Sequence, residues 1–294
     1  MFGDFEGLCK GSALPVCTLF RPEDITYEDW VTPKCKTRLY SAGSAHILNL
    51  ADLVVTAVII LLAAYCVIKT HERLAAVGRR EMALLFSVYL LGLVLNFVGN
   101  DFLFDSDVAN KWLSVANVTL VVSFFWLLIL VGLVGFQLLP DGSAFSILSM
   151  LISTTVIFIG IGYIAADTAF GVTNTLKPGP DMPFYSPGLY FVYLVFPLIS
   201  IFIYFVTQAV IVFRYLAVRK PLLWLIGAIV TFALSQIFML VISDNICDGT
   251  NGRIDGTMFS TLLNFVAMVF IYYFWNSITE DKSVEFFDGP MVGK

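Results

Sequence analysis

Seven stretches of nearly unbroken apolar residues, at roughly 46–68, 82–104, 112–136, 144–166, 189–213, 221–243 and 257–275, alternate with short runs where charge, Gly and Pro gather. Each has about the 20 residues that a helix needs to cross a hydrocarbon core of about 30 Å. The predicted fold class is therefore all-α: a polytopic membrane protein with seven transmembrane helices. Three regions follow: an amino-terminal segment with cysteines (1–45), the seven-helix bundle (46–275) and a short acidic tail (276–294).

Polar positions set the direction of the spans. The first apolar stretch ends abruptly in Lys69, Arg73, Arg79 and Arg80, with only two acids among them, and short loops rich in Lys and Arg resist translocation. That end is expected in the cytosol. The next predicted cytosolic loop without ambiguity, 214–220, carries Arg214, Arg219 and Lys220, whereas the loops on the other side carry one base each: Lys111, Lys177 and Arg253. Five bases before the first span dissent, but six acids accompany them. The amino terminus is thus expected to be lumenal or extracellular and the carboxy terminus cytosolic. Met1–Ser44 has no basic stretch leading into an apolar one, so the first span is expected to act as its own signal.

Composition agrees with a chain solvated by lipid. Of 294 residues, 59% are hydrophobic and only 13% charged, against about 25% charged in soluble domains, and mean hydropathy is +0.87. No clustered basic face is present, so no nucleic-acid partner is expected; the lipid bilayer is the first partner. Catalytic signatures are missing too. There is no HExxH, P-loop or Gly-x-Ser-x-Gly, and no soluble stretch long enough for a catalytic domain. The Asp105-Ser106-Asp107 triplet has the spacing of a nucleotide-sugar metal motif but sits in a short loop, where it reads as solvated charge. No enzyme activity, cofactor or metal is expected.

Cys9, Cys17, Cys35 and Cys247 all map to the outer side, while Cys66 lies in a span. An even set facing an oxidising lumen is what a disulfide framework requires, and four cysteines allow three pairings. Any pairing that uses Cys247 would staple the amino-terminal segment to the loop between the sixth and seventh spans.

Within the spans, His46, Asn49, Asp52 and Thr56 recur at helical spacing, and charge inside a membrane faces the bundle. Asn96, Asn117, Gln208, Gln236 and Asn264 are single amides, expected to make interhelical hydrogen bonds. Ser146, Ser149, Ser153 and Gly160 form a small-residue face on the fourth span that lets another helix approach, from this chain or from a different protein. Pro197 lies inside the fifth span and is expected to kink it. Seven spans invite comparison with heptahelical receptors, but the third ends without their acidic-Arg-aromatic triplet and the seventh lacks Asn-Pro-x-x-Tyr and any lysine for a retinal Schiff base. In the tail, Phe286-Phe287 between acids has the form of an export signal for vesicle-coat adaptors; filler is the plainer reading.

The opening Phe2-Gly-Asp-Phe-Glu-Gly-Leu-Cys9 and Ala13-Leu-Pro-Val-Cys17 resemble the start of the fungal chitin synthase export chaperone family. Ala76-Val-Gly-Arg-Arg-Glu81, Gly135-Phe-Gln-Leu-Leu-Pro-Asp-Gly142, Asn245-Ile-Cys-Asp-Gly249 and Asp255-Gly-Thr-Met-Phe259 resemble it too, in the same order between spans. This resemblance implies a resident of the endoplasmic reticulum membrane that assists folding and export of a multi-span chitin synthase and travels with it to the plasma membrane. Some members carry the label of a catalytic subunit, yet no glycosyltransferase Gln-x-x-Arg-Trp occurs here. On helices four to six, Ser149, Ser153, Pro197 and Gln208 are the candidate client contacts. The alternative is a heptahelical receptor or small-solute transporter, which requires a polar, solvent-connected cavity around Asp52 and the amides.

Overall fold

A computed structural model describes residues 2–22, 35, 37, 40–42, 45–72, 78–99, 102–104, 106–136, 143–179, 182–216 and 220–279. Arg73, Phe286 and Phe287 lie outside these residues. Seven helices are long and apolar enough to cross a membrane: Leu50–Glu72 (α2), Arg79–Gly99 (α3), Asp107–Val134 (α4), Ala144–Phe170 (α5), Pro187–Arg214 (the fifth span), Lys220–Leu240 (α8) and Gly256–Thr279 (α10). The fifth span is composite: α6 (Pro187–Tyr190), a π-helical turn (Phe191–Val195), α7 (Phe196–Ile211) and a second π-helical turn (Val212–Leu216). Two short helices, α1 (Glu6–Gly11) and α9 (Ser243–Gly249), a 3-10 turn (Pro15–Phe20) and a small sheet complete the described structure.

Local chemistry places the helix ends away from where hydropathy alone puts them. The first span begins at Leu50, because Asn49 Oδ1 accepts from the backbone amides of Ala51 and Asp52 and so caps the helix. His46, expected on the face shared with Asp52, instead lies in strand β2 (Ala45–Ile47). That strand pairs antiparallel with β1 (Tyr40–Ala42) and with β3 (Phe102–Phe104), so the end of the second apolar run is sheet rather than helix. Gly78, at φ +67°, turns the chain into α3, and Arg79, Arg80 and Glu81 fall inside its first turn. Ser106 caps α4 by accepting from the Ala109 amide. Past α5, Gly171 adopts φ +66°, and Asp167 accepts from the amides of Thr173, Asn174 and Leu176, tying down the loop that follows.

Pro197 is accommodated by the π turn immediately before it, which absorbs the hydrogen bond the proline ring cannot make. Around the bundle, α2 packs on α3, α3 on α4, α4 on α7, α8 on α10 and α10 on α2. Between the fifth span and α8 contact is sparse, leaving one loose seam in the ring. The fourth span, α5, lies outside this ring. It packs along α4 and, at its outer end, against the 3-10 turn and α6.

The amino-terminal residues are built into the bundle. Phe5, Cys9, Val16, Leu19 and Phe20 are buried against Val115 and Val118 of α4, Ala165 and Ala169 of α5 and Leu189 of α6. Cys9 bonds Cys17 across a Cα–Cα distance of 5.7 Å, and Cys35 bonds Cys247 across 5.9 Å. The second bridge joins the segment before the first span to α9, between the sixth and seventh spans. Arg21, buried, pairs with Asp107 in the first turn of α4, so that acid is an ion-pair partner as well as a partly solvated charge; Asp105 lies outside the described residues.

Candidate functional site

A cavity of about 1010 Å³ runs down the inside of the bundle, at the top of the range of roughly 300–1,000 Å³ usual for ligand pockets. Its outer part is polar: Asn49, Asp52, Asn96, Asn110, Ser114, Asn117, Gln236, Asp255, Ser260, Thr261 and Asn264 all line it. Its inner part is apolar, with Leu120, Phe124, Phe125, Leu128, Leu225, Phe232, Met268 and Ile271. From Gly256 to Ile271 along α10 is about 22 Å at a rise of about 1.5 Å per residue, which sets the depth. Leu8, Ser12, Leu14 and Cys17 of the amino-terminal cap line its outer end.

Asp52 and Asp255 are the chemical centre of the polar part, 2% and 6% exposed. Asn49 joins them: its Nδ2 donates to Asp255 Oδ1 at 2.6 Å, while its Oδ1 holds the Asp52 amide. The Thr56 hydroxyl donates to Asp52 at 3.5 Å, and the Thr257 hydroxyl and amide both donate to Asp255. Burial pushes the Asp255 carboxyl above the usual carboxylate range, against the hydrogen bonds from Thr257 and Asn49, which pull it down. Among the described residues, no ion pair reaches either carboxylate. Asp255 was hidden in the sequence because it reads as loop; the one signal was Asp255-Gly256 just ahead of an apolar run.

The amides divide between packing and cavity. Gln208 Nε2 donates to the Gly132 carbonyl at 3.1 Å, tying the fifth span to α4. Asn264 Oδ1 accepts from Ser235 at 2.7 Å, tying α10 to α8. Among the candidate client contacts, Ser149 donates to its own helix at the Ser146 carbonyl, Ser153 accepts from Trp126 Nε1 at 2.8 Å, and Pro197 lines the cavity. Ser153, Pro197 and Gln208 turn toward the bundle's own helices, while Ser149, half-buried, bonds within its own helix, so the four do not gather into one outward surface. Ser146 donates to Glu81, which is 1% exposed, a buried acid that sequence position assigned to a cytosolic loop. The outward side of α5 is instead Phe145, Leu148, Ile152, Val156 and Ile159, each at least half exposed, with Gly160 beside them and nothing within 4 Å of the place a side chain would take.

Among the described residues no group of His, Cys, Asp and Glu could hold a metal ion. No solved structure matches the chain. Similar proteins named chitin synthase export chaperone occur in Cryptococcus neoformans var. neoformans serotype D (29% identical over 285 residues, 95% of this chain and 75% of the relative) and in Coccidioides immitis (29% over 289 residues, 95% and 83%). Another from Emericella nidulans is 28% identical over 294 aligned positions, covering 95% of this chain and 83% of its own. The family model described as chitin synthase export chaperone matches residues 1–286. The chain therefore belongs to the chitin synthase export chaperone family.

Proposed function

We propose that this protein is a non-enzymatic membrane chaperone that binds a multi-span chitin synthase laterally in the endoplasmic reticulum, assists its folding and remains with it through export to the plasma membrane. The family match over residues 1–286 is the observation that carries this reading. An unfinished client leaves polar backbone and side chains facing lipid at several kcal/mol per unsatisfied group, and a second helical surface relieves that exposure. The outward face of α5 suits the task, since this helix sits outside the ring and presents Leu148, Ile152, Ile159 and Gly160 to the membrane. Lys69, Arg79 and Arg80 hold one end of the leading helices in the cytosol, which places the cystine-bearing cap in the lumen.

Gly160→Leu tests the surface at a position where an added Cβ meets nothing within 4 Å beyond its own helix. Recovery of chitin synthase on the tagged protein should fall several-fold in this variant, with the protein's own thermal stability unchanged. Undiminished recovery would remove α5 as the client face. A receptor or small-solute transporter is the second reading, favoured by the cavity around Asp52 and the amides.

A further inference from the structure

The cavity asks for an occupant that the export role does not supply, and four features of it converge. It is long, polar at one end and apolar at the other, which matches an amphipath with a single chain. The cap lines the watery end, whereas Leu198 of α7, which also lines the cavity, is 63% exposed. The cavity wall thus reaches the lipid-facing side of the fifth span, where a ligand can enter from the bilayer. Asp52 and Asp255 lie buried side by side with no described cation on them, and two carboxylates in a low dielectric repel each other unless a cation or a proton joins them. The cavity's arginine, Arg21, is held by Asp107.

A second, independent observation concerns α4. Ser114 and Asn117, one turn apart, are 3% and 5% exposed and line the cavity, and among the described residues neither side chain has a hydrogen-bond partner. A hydroxyl and an amide turned into a cavity without a protein partner mark a place for a ligand's polar atoms. We propose that the cavity binds a single-chain amphipathic amine drawn from the bilayer, with its ammonium on Asp52 and Asp255 and its chain among Phe124, Phe232 and Met268. Ser114 and Asn117 take the remaining polar atoms of the head. The ligand then fills the bundle from within and braces the loose seam, independently of whatever client sits outside.

The test uses the full chain in phosphatidylcholine nanodiscs, with empty discs as baseline, and radiolabelled dodecylamine, dodecanol and dodecanoic acid as probes. Dodecylamine should bind saturably and at least tenfold more tightly than the other two. Asp52→Asn combined with Asp255→Asn should abolish that preference. Gly92→Leu, which places bulk in the cavity where the nearest atom is Leu120 Cδ2 at 3.6 Å, should lower binding of all three. Equal binding of the three probes, binding indifferent to the Asp→Asn pair, or no saturable binding above empty discs would each overturn the proposal.

Discussion

At Gly256 an added Cβ would sit 2.1 Å from the Phe238 carbonyl oxygen and within 3 Å of Ser243, all but immovable atoms at the joint between α8 and α10. The two helices come together there because a hydrogen atom is all that fits. Gly256→Ala is expected to cost more than the roughly 1–3 kcal/mol of ordinary overpacking, read as a large fall in thermal unfolding temperature in detergent. Ser146→Ala should cost about 1 kcal/mol, the usual net worth of one hydrogen bond, by depriving buried Glu81 of a donor. The cystines differ in reach. Cys9 and Cys17 are 8 residues apart and Cys35 and Cys247 are 212 apart, so chain entropy assigns about 2.5 kcal/mol to the first and about 5 kcal/mol to the second. Replacing Cys35 and Cys247 together by Ser should accordingly lower the unfolding temperature more than replacing Cys9 and Cys17; the reverse order would refute the stapling role of the longer bridge.

Among elements, the apolar spans are legible because each is a long run with one meaning in lipid, and all seven occur where hydropathy put them to within a few residues. Their ends are less so. Asn49 reads as a polar residue on a helix face, but its short amide competes for backbone donors and ends the helix instead. The same competition removes His46 from the face it was assigned. The cap was illegible for a different reason: a six-residue helix and a 3-10 turn carry no periodicity, and only their burial against α4, α5 and α6 holds them. Four cysteines on one side foretold a framework but not its pairing, since pairing depends on how the cap seats. The client-facing assignments of Ser153 and Gln208 rested on residue type, and type does not tell which way a helix is turned. Rotation shows the opposite side of α5, with Ile152 and Ile159, free of the bundle.

For the whole molecule, the bundle is a ring of six spans with a capped interior and a seventh helix on its flank. Polar residues that sequence scattered over five helices meet in one cavity, because each sits in the same half of its own span. That convergence depends on antiparallel packing, which no single stretch of sequence displays. The flanking helix and the cavity offer two separate surfaces, the outward one proposed for a protein client and the inward one for a lipid amine. The most direct measurement of the central claim is photocrosslinking in native membranes, with a benzoylphenylalanine at Ile152 and, as a control, at Ser123, which is 1% exposed within α4. A chitin synthase adduct from Ile152 and none from Ser123 is the result expected, whereas no synthase adduct from any outward position of α5 would contradict the lateral chaperone.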